Sequence, residues 1–254
     1  HGNEDFITSG KIRSFIKCPL TYYQQETGVI AKKQSDDLNF GKALHCQVFE
    51  RDKFDKRFLI HDGPVNPATK KPYGRDTNKY REWLEAQDQT QTIITTAEHE
   101  IMQEMYEMIV CNWGAAKVLS GPGVAEGTAY AEIDGFDCQI RLDWFSAENG
   151  LVDLKSCSDI DRLKYEIVEY RYDLQMAFYT MVISKIIREI VPVHLIFVEK
   201  QPPYRSMVYE IPQGVLAPAV SQIHGAFERL AECQKKGKWP TGCEGIHLYQ
   251  PYTY

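Results

Sequence analysis

The stretch RLDWFSAENGLVDLKSC, residues 141–157, limits the possible folds more than any other. It reads as two strands joined by a turn, with Asp143 in the first and Asp153 and Lys155 in the second. Strand side chains alternate between two faces. In a strand over 138–145, Ile140, Leu142 and Trp144 share one face, and Gln139, Arg141 and Asp143 share the other. In 151–156, Val152 and Leu154 oppose Asp153 and Lys155. Charge set into apolar strands is costly unless something pairs with it.

Register decides whether the ionisable faces coincide. In an antiparallel pair, partner residue numbers have a constant sum. A two-residue Asn149-Gly150 turn gives 299, pairs Asp143 with Ser156 and puts Asp143 and Asp153 on opposite faces. A sum of 296 sets Asp143 against Asp153 and gathers Lys155 with them, leaving the even-numbered apolar residues together. A slip of one residue inverts every side chain. An odd-length loop or a bulge near 146–150 is therefore expected, against the Asn-Gly hairpin signal.

Two carboxylates aimed at one point repel, and a bound cation is their natural partner. Oxygen ligands favour Mg²⁺ or Mn²⁺ over zinc. Lys155 would stand beside such a cation, able to orient or activate a water or to balance charge in the transition state. That set suits metal-assisted hydrolysis of a phosphodiester. A buried Asp–Lys ion pair that only stabilises a sheet is the other reading, and Asp-x-Lys alone leaves it open.

Along the chain, residues 6–29 read as two short helices, the first opened by Thr8 or Ser9 with Ile12, Phe15 and Ile16 at helical spacing, the second running through Tyr22 and Tyr23 after Pro19. A helix follows over 39–54, then a basic loop over 61–79 with little reason to fold tightly alone. Thr95 and Glu98 form a capping box that opens a helix running to about Trp113. Strands are expected at 128–133, 138–145 and 151–156, with turns at Asp134-Gly135 and near Asn149-Gly150. An apolar helix over 172–190, strands at 193–200 and 206–211, and a helix over 215–235 complete the order. The order predicts one α/β domain over residues 1–254, with a central mixed sheet covered by helices on both faces.

A net charge of −6 argues against a protein that coats nucleic acid over its whole surface, yet it allows a local basic groove. No apolar run reaches the roughly 18–20 residues of a membrane span, and the first residues lack a signal-peptide pattern. Seven cysteines without a CxxC pair argue against a closed zinc site and for reduced thiols in the cytoplasm.

The set Asp143…Asp153-x-Lys155 on adjacent strands, followed by a helix, resembles the PD-(D/E)XK nuclease superfamily. Other segments resemble its exonuclease VIII (RecE-like) branch. FGKALHCQVFE looks like that branch's glycine–alanine–histidine helix, so His45 matches the histidine near the metal. GVAEGTAYAEIDGFDCQIRLDW looks like the segment that leads into the first catalytic strand. Glu126 matches its glutamate, with Glu132 as a rival. VDLKSCSDIDRLKYEIVEYRYDLQMAFY is similar to the catalytic strand and its Gln-x-x-x-Tyr helix, here Gln175 and Tyr179. FVEKQPPYRSMVYEI and AECQKKGKWPTG resemble the closing strands and segment, so the likeness covers about 8–245. RLDW departs from the pattern in carrying leucine where proline is frequent. Cys18-Pro19 is similar to the opening of iron–sulfur relatives, but Cys233 and Cys243 are too few and too far apart, so no iron–sulfur cluster is expected.

The resemblance implies a Mg²⁺-dependent exodeoxyribonuclease, with Mn²⁺ able to substitute, that degrades one strand of linear duplex DNA from 5′ to 3′. It also implies work beside a single-strand annealing protein in phage-type recombination, and a ring-shaped homo-oligomer around DNA. His45, Glu126, Asp143, Asp153 and the Leu154 main-chain carbonyl would hold metal. Lys155, with Gln175 and Tyr179, would serve the chemistry. Arg171, Lys164, Lys70, Lys71, Arg75 and Lys79 are candidate phosphate contacts, which position a duplex without reading its sequence. Tyr22, Tyr23 and Trp83 could stack on frayed bases or fill the core. An endonuclease or nickase on the same core, or a non-catalytic DNA-end-binding scaffold, are the alternatives.

Overall fold

A computed structural model describes residues 6–31, 36–246 and 248. Helices α1 (Ser9–Lys17), α2 (Pro19–Glu26), α3 (Asp36–Phe49) and α4 (Phe54–Arg57) come first. Strand β1 (Phe58–Ile60), α5 (Asn78–Glu85) and β2 (Thr92–Ile94) follow, then α6 (Thr96–Val110) and α7 (Trp113–Val118). Five strands come next: β3 (Val124–Ala125), β4 (Thr128–Ile133), β5 (Phe136–Arg141), β6 (Trp144–Ser146) and β7 (Gly150–Cys157). The chain then runs through α8 (Leu163–Glu169), α9 (Tyr172–Ile187), β8 (Val193–Glu199), β9 (Ser206–Glu210) and α10 (Gln213–Lys236).

The central sheet has the order β3-β6-β7-β8-β9. Only β7 and β8 run parallel, and α8 and α9 make the crossover that a parallel pair requires. All seven residues of β8 are buried, as a central strand covered on both faces demands. Leu151, Leu195 and Phe197 point into a core shared with α1, α9 and α10. Val152, Leu154, Ile196 and Val198 point to the other side, where α3 and α6 supply Leu44, Met102, Met105 and Ile109. The fold is thus the expected mixed α/β layering. Among the described residues no helix is long and apolar enough to cross a membrane.

Several local expectations hold. Thr95 and Glu98 form a reciprocal cap on α6, with Glu98 N donating to Thr95 Oγ1 at 3.1 Å and Thr95 N to Glu98 Oε2 at 2.7 Å. The helix stops at Val110, short of Trp113, because Asn112 starts a new one. Its Oδ1 accepts from Gly114 N and Ala115 N, and its Nδ2 donates to Ser206 O. The basic loop 61–79 is held down. Asp62 accepts from Thr96 N at 2.8 Å, Val65 bridges to Pro72, and Gly63 (φ 88°) lies under the Tyr80 ring. The small parallel β1–β2 pair was beyond sequence reading, since three residues carry no period.

The strand expected over 138–145 is corrected. It is two strands, β5 and β6, with Leu142 and Asp143 at a bend between them. Ile140 and Leu142 consequently bury with α9 and α10, while Trp144 packs with Val152 and Leu154 in the other layer. The bend switches the chain from one layer to the other, which strict alternation along a single strand cannot express.

Candidate metal centre

Two hairpin registers bring the acids together. Asp134 and Gly135, both with positive φ (53° and 82°), make the two-residue turn between β4 and β5. Partner numbers across β4–β5 add to 269, as in Thr128↔Arg141, and β3–β6 keeps that sum in Ala125↔Trp144. Between these segments Leu142 N donates to Gly127 O at 2.8 Å and Glu126 N to Asp143 O at 3.0 Å. Glu126 therefore faces Asp143. Glu132 pairs with Asp137, at the far end of the hairpin.

The second register is the one expected from the alternating charge. Trp144↔Val152, Phe145↔Leu151 and Ser146↔Gly150 all add to 296, across the odd loop 147–149. Gly150 closes that loop at φ 70°, and a Cβ there would lie 2.1 Å from Pro192 O. One step beyond Trp144, Asp143 comes beside β7, where its Oδ2 accepts from Leu154 N at 2.7 Å. Asp143 thus belongs to both registers, with Glu126 on one side and the Asp153 strand on the other. Glu126 is left-handed (φ 50°), which costs a non-glycine residue about 1–2 kcal/mol.

His45 comes to this point from α3. Its Nε2 lies 3.1 Å from the Leu154 carbonyl, which only accepts, so Nε2 carries the hydrogen. Nδ1 then faces Asp143 Oδ1 at 3.2 Å and Glu126 Oε1 at 3.7 Å. Burial alone would lower the His45 pKa, but the Asp143 carboxylate, with Glu126 beside it, lifts it to about 10. Burial opposes the charge on Asp143 too, yet His45 and then Lys155 hold its carboxyl below the usual range. His45 Nδ1 thus lies between the Asp143 and Glu126 carboxylates.

Asp153 is arranged differently. Its Oδ1 accepts from Gln175 Nε2 at 2.9 Å, and its Oδ2 pairs with Lys155 Nζ at 2.5 Å. Burial raises its pKa, Lys155 opposes that and Asp143 adds to it, leaving a value of about 6. Burial would also strip Lys155 of its proton, but Asp153 and Asp143 hold its ammonium above the usual lysine range. Tyr179, one turn after Gln175, has its phenol pushed up to about 12 by burial and by Asp153. Gln175 thus holds Asp153. Two further residues touch the centre without having been singled out. Tyr172 places its ring 5.2 Å from Lys155 Nζ, and Arg141 pairs with Glu126.

Four of the six candidate phosphate contacts are engaged in other ways. Arg171 is held by Asp173 and Gln222, Lys79 pairs with Glu82, and Arg75 lies 3.4 Å from Glu98. Lys164 lies over the Tyr165 ring, and Lys70 and Lys71 are exposed. Tyr22 is buried against Phe15, Tyr23 stacks on Trp239, and Trp83 stacks on His61.

The donors fit a divalent cation. His45, Glu126 and Asp143 each offer an atom within 4.8 Å of the others'. Glu126 Oε1 is buried and accepts no hydrogen bond among the described residues. One imidazole nitrogen with carboxylate oxygens is a set that Mg²⁺, Mn²⁺ and later divalent metals accept. The hydrogen bond from Nε2 to Leu154 O fixes the ring that would coordinate through Nδ1.

A family model described as "PDDEXK-like domain of unknown function (DUF3799)" matches residues 8–251. Comparison with curated proteins finds no match. Among solved structures, a "putative exonuclease" from Eubacterium rectale is similar with a TM-score of 0.70 and 16% identity. The likeness covers 99% of this chain and 92% of that one, and at this identity it speaks for the fold alone. A phage-related exonuclease from Haemophilus somnus is 13% identical over 92% of this chain and 96% of that one. Its TM-score of 0.39 is too low to carry an argument.

Proposed function

We propose, from the premise that this chain belongs to the PDDEXK-like domain family of unknown function, that it is a nuclease hydrolysing phosphodiester bonds of DNA. The observation that carries this reading is that His45, Glu126 and Asp143 meet within 4.8 Å, while Asp143 is hydrogen-bonded to Leu154 N, between Asp153 and Lys155 of the buried ion pair. His45, Glu126 and Asp143 would hold a divalent cation, Mg²⁺ by our reading with Mn²⁺ as substitute, which when bound would supply Lewis-acid polarisation of the phosphate.

The chain's own residues do the rest. Lys155 stays an ammonium beside Asp153, so it acts as a hydrogen-bond donor and positive charge, not as a base that takes a proton. A donor set where charge develops on a phosphoryl oxygen stabilises the transition state more than the ground state. Asp153 holds that ammonium, and Gln175 holds Asp153. The Leu154 carbonyl orients His45.

The finer reading is an exodeoxyribonuclease acting on linear duplex DNA from 5′ to 3′. It includes a single-strand annealing partner and a ring-shaped oligomer, and it rests on the family resemblance alone. Linear and closed circular duplex, with Mg²⁺ or Mn²⁺, test it. The expected outcome is mononucleotides from the linear form and an untouched circle, with Asp153→Ala and Lys155→Ala at least about 10²-fold slower. Cut circles indicate an endonuclease. Inert wild-type protein indicates a non-catalytic end-binding scaffold. Variants as fast as wild type remove this centre from the chemistry.

A further inference from the structure

Arg141 ends β5, two residues before Asp143, with its side chain 60% exposed at the rim of the acid group. Its Nε and Nη2 both reach the same oxygen of Glu126, Oε2, at 2.8 and 2.7 Å. The other oxygen, Oε1, is buried without a hydrogen bond among the described residues and lies 3.7 Å from His45 Nδ1. Glu126 also has a left-handed backbone, so the turn itself does not favour a glutamate there. Something outside the backbone must aim this side chain.

We infer that Arg141 is a positioning residue of the cation site. By holding Oε2 it turns Oε1 towards the point shared with His45 Nδ1 and Asp143 Oδ1. This rests on the reading of the three residues as a cation site. A guanidinium there has a second, opposite effect, because its positive charge repels a cation. If repulsion dominated, losing Arg141 would tighten cation binding. The pair with Glu126 matches that charge, and the exposed side chain is screened by water and salt, so the geometric effect is the larger.

The test is Mn²⁺ binding to the full chain without DNA, followed by calorimetry, for wild type, Arg141→Gln and Arg141→Lys. Arg141→Gln should bind Mn²⁺ about tenfold more weakly, the usual scale for groups that orient a metal ligand. Arg141→Lys keeps the charge but loses the two-nitrogen grip, and should bind more weakly than wild type by a smaller factor. Unfolding midpoints in chelator should agree among the three, which separates aim from folding. Equal or tighter binding by Arg141→Gln overturns the inference and leaves the cation site standing. If that variant does not fold, equal binding by Arg141→Lys overturns it instead. Wild-type protein that binds no Mn²⁺ overturns the cation site, and this inference with it.

Discussion

Two groups of buried charge lie along the same pair of strands, and they are built in opposite ways. At the end of β8, Glu199 has every acceptor filled. Its Oε1 accepts from Ile160 N at 3.0 Å and Arg205 Nη2 at 2.6 Å, and its Oε2 from Arg205 N at 3.2 Å and Nε at 2.9 Å. Around β7, Glu126 keeps one oxygen without a donor among the described residues, and Asp143 and Asp153 crowd each other's charge. The first group is a finished structural joint. The second leaves the buried Glu126 Oε1 without a hydrogen bond among the described residues, at the point where it meets His45 Nδ1 and Asp143 Oδ1. Saturation separates a buried ion pair that serves the fold from one that waits for a ligand.

Substitutions in each group should therefore do different things. The largest effect is on catalysis. Lys155→Ala should slow DNA cleavage about 10²–10³-fold, whereas Glu199→Ala should leave cleavage per folded molecule within about twofold, measured by initial rates on linear duplex. Equal losses would erase the contrast. Next comes stability. Glu199→Ala leaves the buried Ile160 N–H without its acceptor, while Arg205 keeps Asp159 and Asp161, and should lower the urea-unfolding free energy by about 2 kcal/mol. Glu126→Gln in chelator should change it by no more than about 1 kcal/mol, because its partner Arg141 is largely exposed.

A cation should then restore what the second group lacks. At about one hundred times its dissociation constant, Mn²⁺ should add about 2.7 kcal/mol to wild type and to Glu199→Ala alike. Glu126→Gln should gain less than half as much at the same concentration, read from melting curves. The smallest effect concerns acid. Arg205 hydrogen bonds, against burial, hold the Glu199 carboxyl down to about 2. A depressed carboxyl stabilises fully above its ordinary value near 4.5 and loses that contribution as pH falls from there towards 2. The acid limb of the stability profile should be shallower in Glu199→Gln. Arg205 is 44% exposed, so screening keeps the difference modest.

Much of this was legible in the sequence, in pieces of unequal quality. Alternating charge in 141–157 was enough to reject the Asn-Gly turn and to expect the 296 register, because a buried face tolerates only one parity. The same counting applied to Asp134-Gly135 would have decided between Glu126 and Glu132. A two-residue turn there fixes 269, and 126 is the partner of 143. Arg141 follows from the same register, standing opposite Thr128 beside that glutamate. The bend at Leu142–Asp143 was not legible, because no glycine or proline marks it and both sides keep one register. Nor were Gln222 as a partner of Arg171 and Glu98 as a partner of Arg75, which depend on elements distant in sequence.

Asp143 sits where two hairpins overlap, and this has a consequence for the order of assembly. Neither hairpin defines the centre alone: one brings Glu126 to Asp143, and the other brings Asp143 to β7. A chain with only one of them closed, or with either shifted by one residue, has at most two of the three acids on a common side. The centre therefore depends on both registers at once. It becomes complete only after both closures have succeeded, and a cation held there would certify a correctly registered chain.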